Sequence, residues 1–144
     1  MAKQFLTKEE ETLIVDAIGI AEKETSGEIR VHIESICKAD AVDRAVEVFY
    51  SLKMEQTLLK NGVLIYVAIK DRKLAIIGDA GINAVVPDGF WDSTRDFLVD
   101  HFKTGKIAIG LAGAIELAGQ QLKKYFPYQA DDENELSNEI SLGN

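Results

Sequence analysis

The chain has 144 residues and a mass of 15.9 kDa, the length of one domain, and at that size folding removes roughly 68–70% of the unfolded surface from water. A composition of 47% hydrophobic and 28% charged residues with two prolines excludes a disordered or fibrous chain, and a single cysteine, Cys37, excludes an intrachain disulfide or a cysteine-based zinc cage. The net charge is −8 with no basic cluster denser than Lys70-Asp71-Arg72-Lys73, which excludes nucleic acid as a partner, and the longest apolar runs are far below the about 20 residues of a membrane span.

The first residues carry no apolar leader core, so the sequence reads as cytoplasmic. Thr7-Lys8-Glu9-Glu10 has the form of a capping box and predicts a helix whose apolar stripe is Leu13, Ile14, Ala17, Ile18 and Ala21, stopped at Ser26-Gly27. From Glu28 the period becomes two: Ile29, Val31 and Ile33 alternate with Glu28, Arg30, His32 and Glu34, which predicts a strand with one wet or loosely covered face. Asp40 is a good N-cap for a second helix with Val42, Ala45, Val46, Phe49 and Leu52 on one side.

After Asn61-Gly62, the run 63–69 is almost wholly β-branched and aliphatic, a central strand covered on both faces, and Leu74 to Ile77 returns as its hairpin partner. Gly78-Asp79-Ala80-Gly81 breaks that strand. Pro87-Asp88-Gly89 starts a third helix through Phe90, Trp91, Phe97, Leu98 and Phe102. A fourth, with Ile107, Leu111, Ala114, Ile115, Ala118 and Leu122 facing the core, holds Gly110 and Gly113, whose cost of about 1 kcal/mol each predicts close approach of a neighbouring element.

The order predicts a compact α/β sandwich with a short mixed sheet flanked by helices, the first two strands parallel and the third antiparallel, as a single domain over 1–129. Five acidic residues (Asp131, Asp132, Glu133, Glu135 and Glu139) and no Lys or Arg lie in 130–144, leaving 19 acidic against 16 basic residues elsewhere, a net −3. That tail is expected to be disordered and dispensable for stability, with Leu136, Ile140 and Leu142 available to dock on a protein partner.

Ser26-Gly27-Glu28-Ile29-Arg30-Val31, Asn61-Gly62-Val63-Leu64-Ile65-Tyr66-Val67, Asp71-Arg72-Lys73, Gly78-Asp79-Ala80-Gly81-Ile82 and Val86-Pro87-Asp88 occur in an order and spacing that resemble TPM domains, over about 5–125. Among these the chain is most similar to short bacterial members without a signal or membrane anchor. The resemblance implies an α/β sandwich, binding of calcium or magnesium, and, for some members, acid phosphatase activity. Where other members often read Gly-Tyr-Gly-Leu-Glu, this chain has Asp79-Ala80-Gly81-Ile82-Asn83: an acidic residue is absent at Asn83, and a carboxylate stands four positions earlier.

Topology sorts the polar residues between two edges of the sheet. Glu28, Asn61, Asp79 and Asp88, with Ser26, fall at one; hard cations take six to eight oxygen ligands, and this set offers three carboxylates and an amide for Ca²⁺ or Mg²⁺. Asp40, Asp43 and Asp71, with Cys37 and Arg72, form the second candidate edge. Caps and turns use the same residue types, so the structural reading stands beside the metal reading at both. No phosphatase signature is present: no Cys-x5-Arg loop, no Asp-x-Asp at a strand end, no Arg-His-Gly. His32 and His101 read as structural or solvated and Cys37 as a bystander. Three functions follow: a divalent-cation-binding domain, a metal-dependent acid phosphatase, or a non-catalytic interaction module.

Overall fold

A computed structural model describes residues 5–128 and 135–143. Helix α1 (Lys8–Ala21) starts at the capping box the sequence predicts, with Glu10 N bonded to Thr7 Oγ1 and Thr7 N to Glu10 Oε1. Strand β1 (Glu28–Glu34) pairs in parallel with β2 (Gly62–Ala68), from Glu28 opposite Gly62 to Glu34 opposite Ala68, through the crossover helix α2 (Ala41–Ser51). β3 (Lys73–Gly78) is antiparallel to β2. Three helices follow, α3 (Ala80–Asn83), α4 (Asp92–Lys103) and α5 (Ile107–Lys123), and then β4 (Ser141–Leu142), which pairs in parallel with β1. The sheet order is β3-β2-β1-β4.

The pleat divides the core in two. Ile29, Val31 and Ile33 of β1 and Val63, Ile65 and Val67 of β2 face α1, α4 and α5, meeting Ile14, Ile18, Leu98, Leu111, Ile115 and Leu122, all fully buried and each contributing about 1.5–3 kcal/mol. The other face turns Leu64, Tyr66, Ala68 and Ala75 toward Ala45, Val48 and Phe49 of α2 and toward Met54. The result is the predicted helix-flanked sheet, as three layers. Gly110 and Gly113 have the expected cause: a Cβ on Gly110 would stand 2.7 Å from His101 Cβ, and one on Gly113 would collide with the Phe97 ring.

Several elements differ from the sequence reading. α4 starts at Asp92 rather than at Pro87, because Gly89 has φ +75° and Trp91 is the N-cap. The break expected after β3 is the short helix α3. α2 buries Ala45, Val48 and Phe49, whereas Val42 and Val46 lie outward at 51% and 40% exposure. The expectation of a disordered tail falls outside the described residues for 130–134 and 144 and is corrected for 135–143. There β4 joins the sheet, Leu136 packs on the α2-side core, and Gly143 N donates to Ile33 O at 2.8 Å. The physical reason is that β1 would otherwise be an unpaired edge whose backbone groups need partners.

Removal of residues 135–144 is therefore expected to lower the thermal midpoint of unfolding, and Leu136→Ala alone to cost about 1–2 kcal/mol. Thermal and urea unfolding measure both, and an unchanged midpoint would show the segment to be unpacked.

Candidate functional site

The alternating pattern of β1 places Glu28, Arg30, His32 and Glu34 on the α2 side of the sheet. This face is not wet: Glu28, His32 and Glu34 are buried. Burial of ionisable groups is tolerated only with charge and hydrogen-bond partners, and Glu34 has four bonds. Arg44 of α2 reaches it with both Nε and Nη2 at 2.9 Å, His32 Nε2 lies at 3.0 Å, and the Tyr66 hydroxyl donates to Oε2. Burial alone would raise the Glu34 pKa, but the bonds from Arg44, Tyr66 and His32 outweigh it and hold the carboxyl at about 2. Tyr66 is pushed well up by burial and by its bonds to Cys37 and Glu34.

Because ionised Glu34 only accepts, His32 Nε2 must carry a proton toward it. Burial holds the His32 pKa down against the pull of Glu34, so the ring is neutral and Nδ1 accepts from the Ser141 hydroxyl at 2.8 Å. The ring also stacks on Tyr66, with centroids 5.9 Å apart and planes 9° apart. Ser141, His32 and Glu34 thus stand in the order of a nucleophilic triad. The arrangement is closed to substrate, since a Cβ on Gly143 would lie 2.5 Å from Glu34 Oε1 and 2.9 Å from His32 Nε2. Its chemistry is to fasten residues 141–143 over the sheet. Sequence reasoning passed over Glu34, Arg44 and Tyr66; the signal available was four ionisable residues on one strand face.

At the first predicted edge the residues diverge. Glu28 accepts from Leu136 N at 2.6 Å, and burial, with the nearby Glu135 charge, raises its pKa to about 7. Glu22, which the sequence did not single out, accepts from Ile29 N at 3.2 Å and is also raised to about 7 by burial, with Glu28 adding. Asn61 is buried and donates from Nδ2 to Ser26 O at 3.2 Å. Asp79 caps α3, with Oδ1 accepting from Ala80 N at 2.7 Å, while its buried Oδ2 has no hydrogen-bond partner among the described residues. Asp88 is exposed and lines a pocket of about 360 Å³ with Asn83, Phe90, Trp91, Asp92 and Arg95.

Glu28 is accordingly under the C-terminal segment and Asp88 in a separate pocket, with Asn61 and Asp79 beside the β2 start, where Asp79 N donates to Gly62 O at 2.9 Å. At the second edge, Asp40 accepts from Val42 N and Asp43 N as the α2 N-cap, and Asp71 accepts from Cys37 N at 2.8 Å. Lys73 Nζ occupies the same corner, bonded to Cys37 O and Ala39 O. Among the described residues no group of three His, Cys, Asp or Glu side chains is gathered to hold a metal. No helix among them is long and apolar enough to cross a membrane.

Comparison with known proteins gives a family model described as the TPM domain, matching residues 2–121. No curated protein matches. Among solved structures, the chain is similar to the BA42 protein of the psychrophilic bacterium Bizionia argentinensis, at 56% identity and a TM-score of 0.91 over 96% of each chain. The N-terminal domain of a P. gingivalis protein shares the fold at 20% identity and TM-score 0.68, covering 86% of this chain and 82% of that one. So does the N-terminal domain of the cg2496 protein of Corynebacterium glutamicum, at 13% identity and TM-score 0.64, with 92% and 78% covered.

Two outcomes follow from these charges. Glu34→Gln, which leaves half-buried Arg44 facing a neutral partner and the bonds of Tyr66 and His32 without their ionised acceptor, is expected to cost about 1–3 kcal/mol in urea unfolding. Glu22 and Glu28 bind protons more tightly folded than unfolded, so the stability they provide is full below their ordinary pKa of 4.5 and is lost as pH rises through about 7. Over that window the contribution of this pair lowers the thermal midpoint, and Glu22→Gln with Glu28→Gln should flatten the slope; an identical slope in the double variant would contradict the assignment.

Proposed function

The chain belongs to the TPM domain family, and from that premise we propose that it binds a divalent cation, Ca²⁺ or Mg²⁺, at the sheet edge where β3 ends. The observation that carries this reading is Asp79. Its residue is only 8% exposed, one carboxylate oxygen is spent on the α3 N-cap, and the other has no hydrogen-bond partner among the described residues. A buried carboxylate oxygen without a donor is costly, and a hard cation is one partner that supplies what is missing.

The oxygen chemistry fits. Asp79 and the side-chain carbonyl of Asn61, a residue whose Nδ2 donates to Ser26 O, are the protein groups that would hold the ion; backbone carbonyls and water would complete the shell, because among the described residues no cluster of three His, Cys, Asp or Glu side chains is gathered. Glu28 is left out of the site, its carboxylate being engaged by Leu136 N. Asp88 belongs instead with Asp92 in the neighbouring pocket. With a single carboxylate among its ligands, a site of this kind binds its ion weakly.

A second reading, metal-assisted hydrolysis of a phosphate monoester, is favoured by Arg95, whose guanidinium lines the same pocket as Asp88 and Asp92. A cation there would neutralise phosphate oxygens, and Arg95 is suited to pairing with one of them. The expected signature is turnover of an aryl phosphate in Mg²⁺ that Arg95→Ala abolishes.

The cation reading predicts that titration with Ca²⁺ or Mg²⁺ moves backbone amides at 60–62 and 78–83, and that Asp79→Asn, which retains a capping oxygen, weakens binding at least tenfold. Glu28→Gln should bind within twofold of the unmodified chain. Shifts confined to 40–43 and 71, or none at all, would reject the site.

A further inference from the structure

The outer surface of the α1–α5 pair carries a groove of about 570 Å³ that the reading above does not use. Its floor is made of small residues, Ala17, Ala112 and Gly113, and its walls of Leu13, Ile20 and Ile109. These three large side chains are 44%, 61% and 55% exposed, an apolar strip on an otherwise charged surface. The stripe on α1 is wider than burial requires, since Ile14, Ile18 and Ala21 already meet the core. Gly113 deepens the floor because the Phe97 ring takes the place of a side chain there, and Phe97 also lines the groove.

The ionisable residues lining it have one sign. Asp16, Glu24 and Glu116 surround the apolar strip, and among the described residues no Lys, Arg or His lines it. From these observations we propose that the groove docks a basic amphipathic helix of a partner protein, its apolar side on Leu13, Ile20 and Ile109 and its Lys or Arg residues on Asp16, Glu24 and Glu116. From Leu13 to Ala21 the α1 side extends about 12 Å at 1.5 Å per residue, room for about two helical turns, with Glu24 just beyond the helix end.

The charge selects this occupant over the others. A second copy laid groove to groove would face its own three carboxylates with three more. The segment 129–134 contains Asp131, Asp132 and Glu133 and no basic residue, so it is repelled as well. An anionic membrane surface is disfavoured for the same reason.

The test uses the full chain, ¹⁵N-labelled, and two synthetic 14-residue helical peptides with identical leucine spacing at i, i+3, i+7 and i+10, one flanked by lysines and one by glutamates. The lysine peptide is expected to bind saturably and shift amides within 13–24 and 109–120. Its affinity should fall at least tenfold on Asp16→Lys with Glu116→Lys, and severalfold on Ile20→Ser; all three side chains are exposed, so far-ultraviolet circular dichroism and the thermal midpoint should be unchanged. Equal binding of the glutamate peptide, shifts elsewhere, or self-association that perturbs these same amides as concentration rises would overturn the proposal, as would binding to anionic vesicles through this face.

Discussion

A carboxylate withdrawn from water must recover charge and hydrogen bonds from the protein, and Glu34, with no exposed surface, recovers both from three directions. Arg44 comes from the crossover helix, Tyr66 from the neighbouring parallel strand, and His32 from two residues earlier on the same strand. One group thereby ties α2 to β1, β1 to β2 and, through His32 and Ser141, β1 to β4. The polar half of β1 would otherwise be incompatible with a three-layer fold. With it, the central strand can be apolar toward α1 and α5 and ionic toward α2.

The two sides of the sheet consequently behave as different materials. The α1–α5 side is close-packed aliphatic, specified by volume: Gly110 and Gly113 let α4 approach α5, and the residues left over on the outer side of the helices form the acid-rimmed groove. The α2 side is specified by pairing, and its pairing extends into residues 135–143, which are part of the domain. Glu28 belongs to that second system, bonded to Leu136 N beneath the C-terminal segment. Asp79, across β2 at the end of β3, retains the unpaired oxygen. Proximity along the edge is therefore a poor guide to which carboxylates share surroundings; the face of the sheet each residue occupies decides it.

Much of this was legible in the residues. The Thr7–Glu10 box marks the start of α1 because both its bonds are local, and the unbroken run of β2 announces a strand covered on both sides. The alternation in β1 says which residues share a face but not what lies over that face, so four ionisable side chains read as solvated although Arg44, ten residues beyond Glu34, brings α2 onto them. β4 was invisible for a related reason: two residues have no periodicity, and Ser141-Leu142 is a strand only because β1 offers an open edge. At the site, the cap roles of Asp40 and Asp79 follow from local sequence, whereas the free second oxygen of Asp79 depends on how the end of β3 packs. Helix α3 reads as a break because Gly78 precedes it and Gly81 lies within it, although Asp79 supplies the cap that starts it.

The claim on which this account turns is that the β1 polar face is closed, with Glu34 ionised and His32 neutral beneath residues 141–143. The direct measurement is the pH dependence of the His32 imidazole ¹⁵N shifts. At neutral pH the ring should be neutral, with a protonated Nε2 and an unprotonated Nδ1, and it should take up its second proton only below the ordinary histidine value. Titration of His32 near the ordinary histidine value of 6.5, with both nitrogens protonated below it, would show that face to be open to water and would contradict the account.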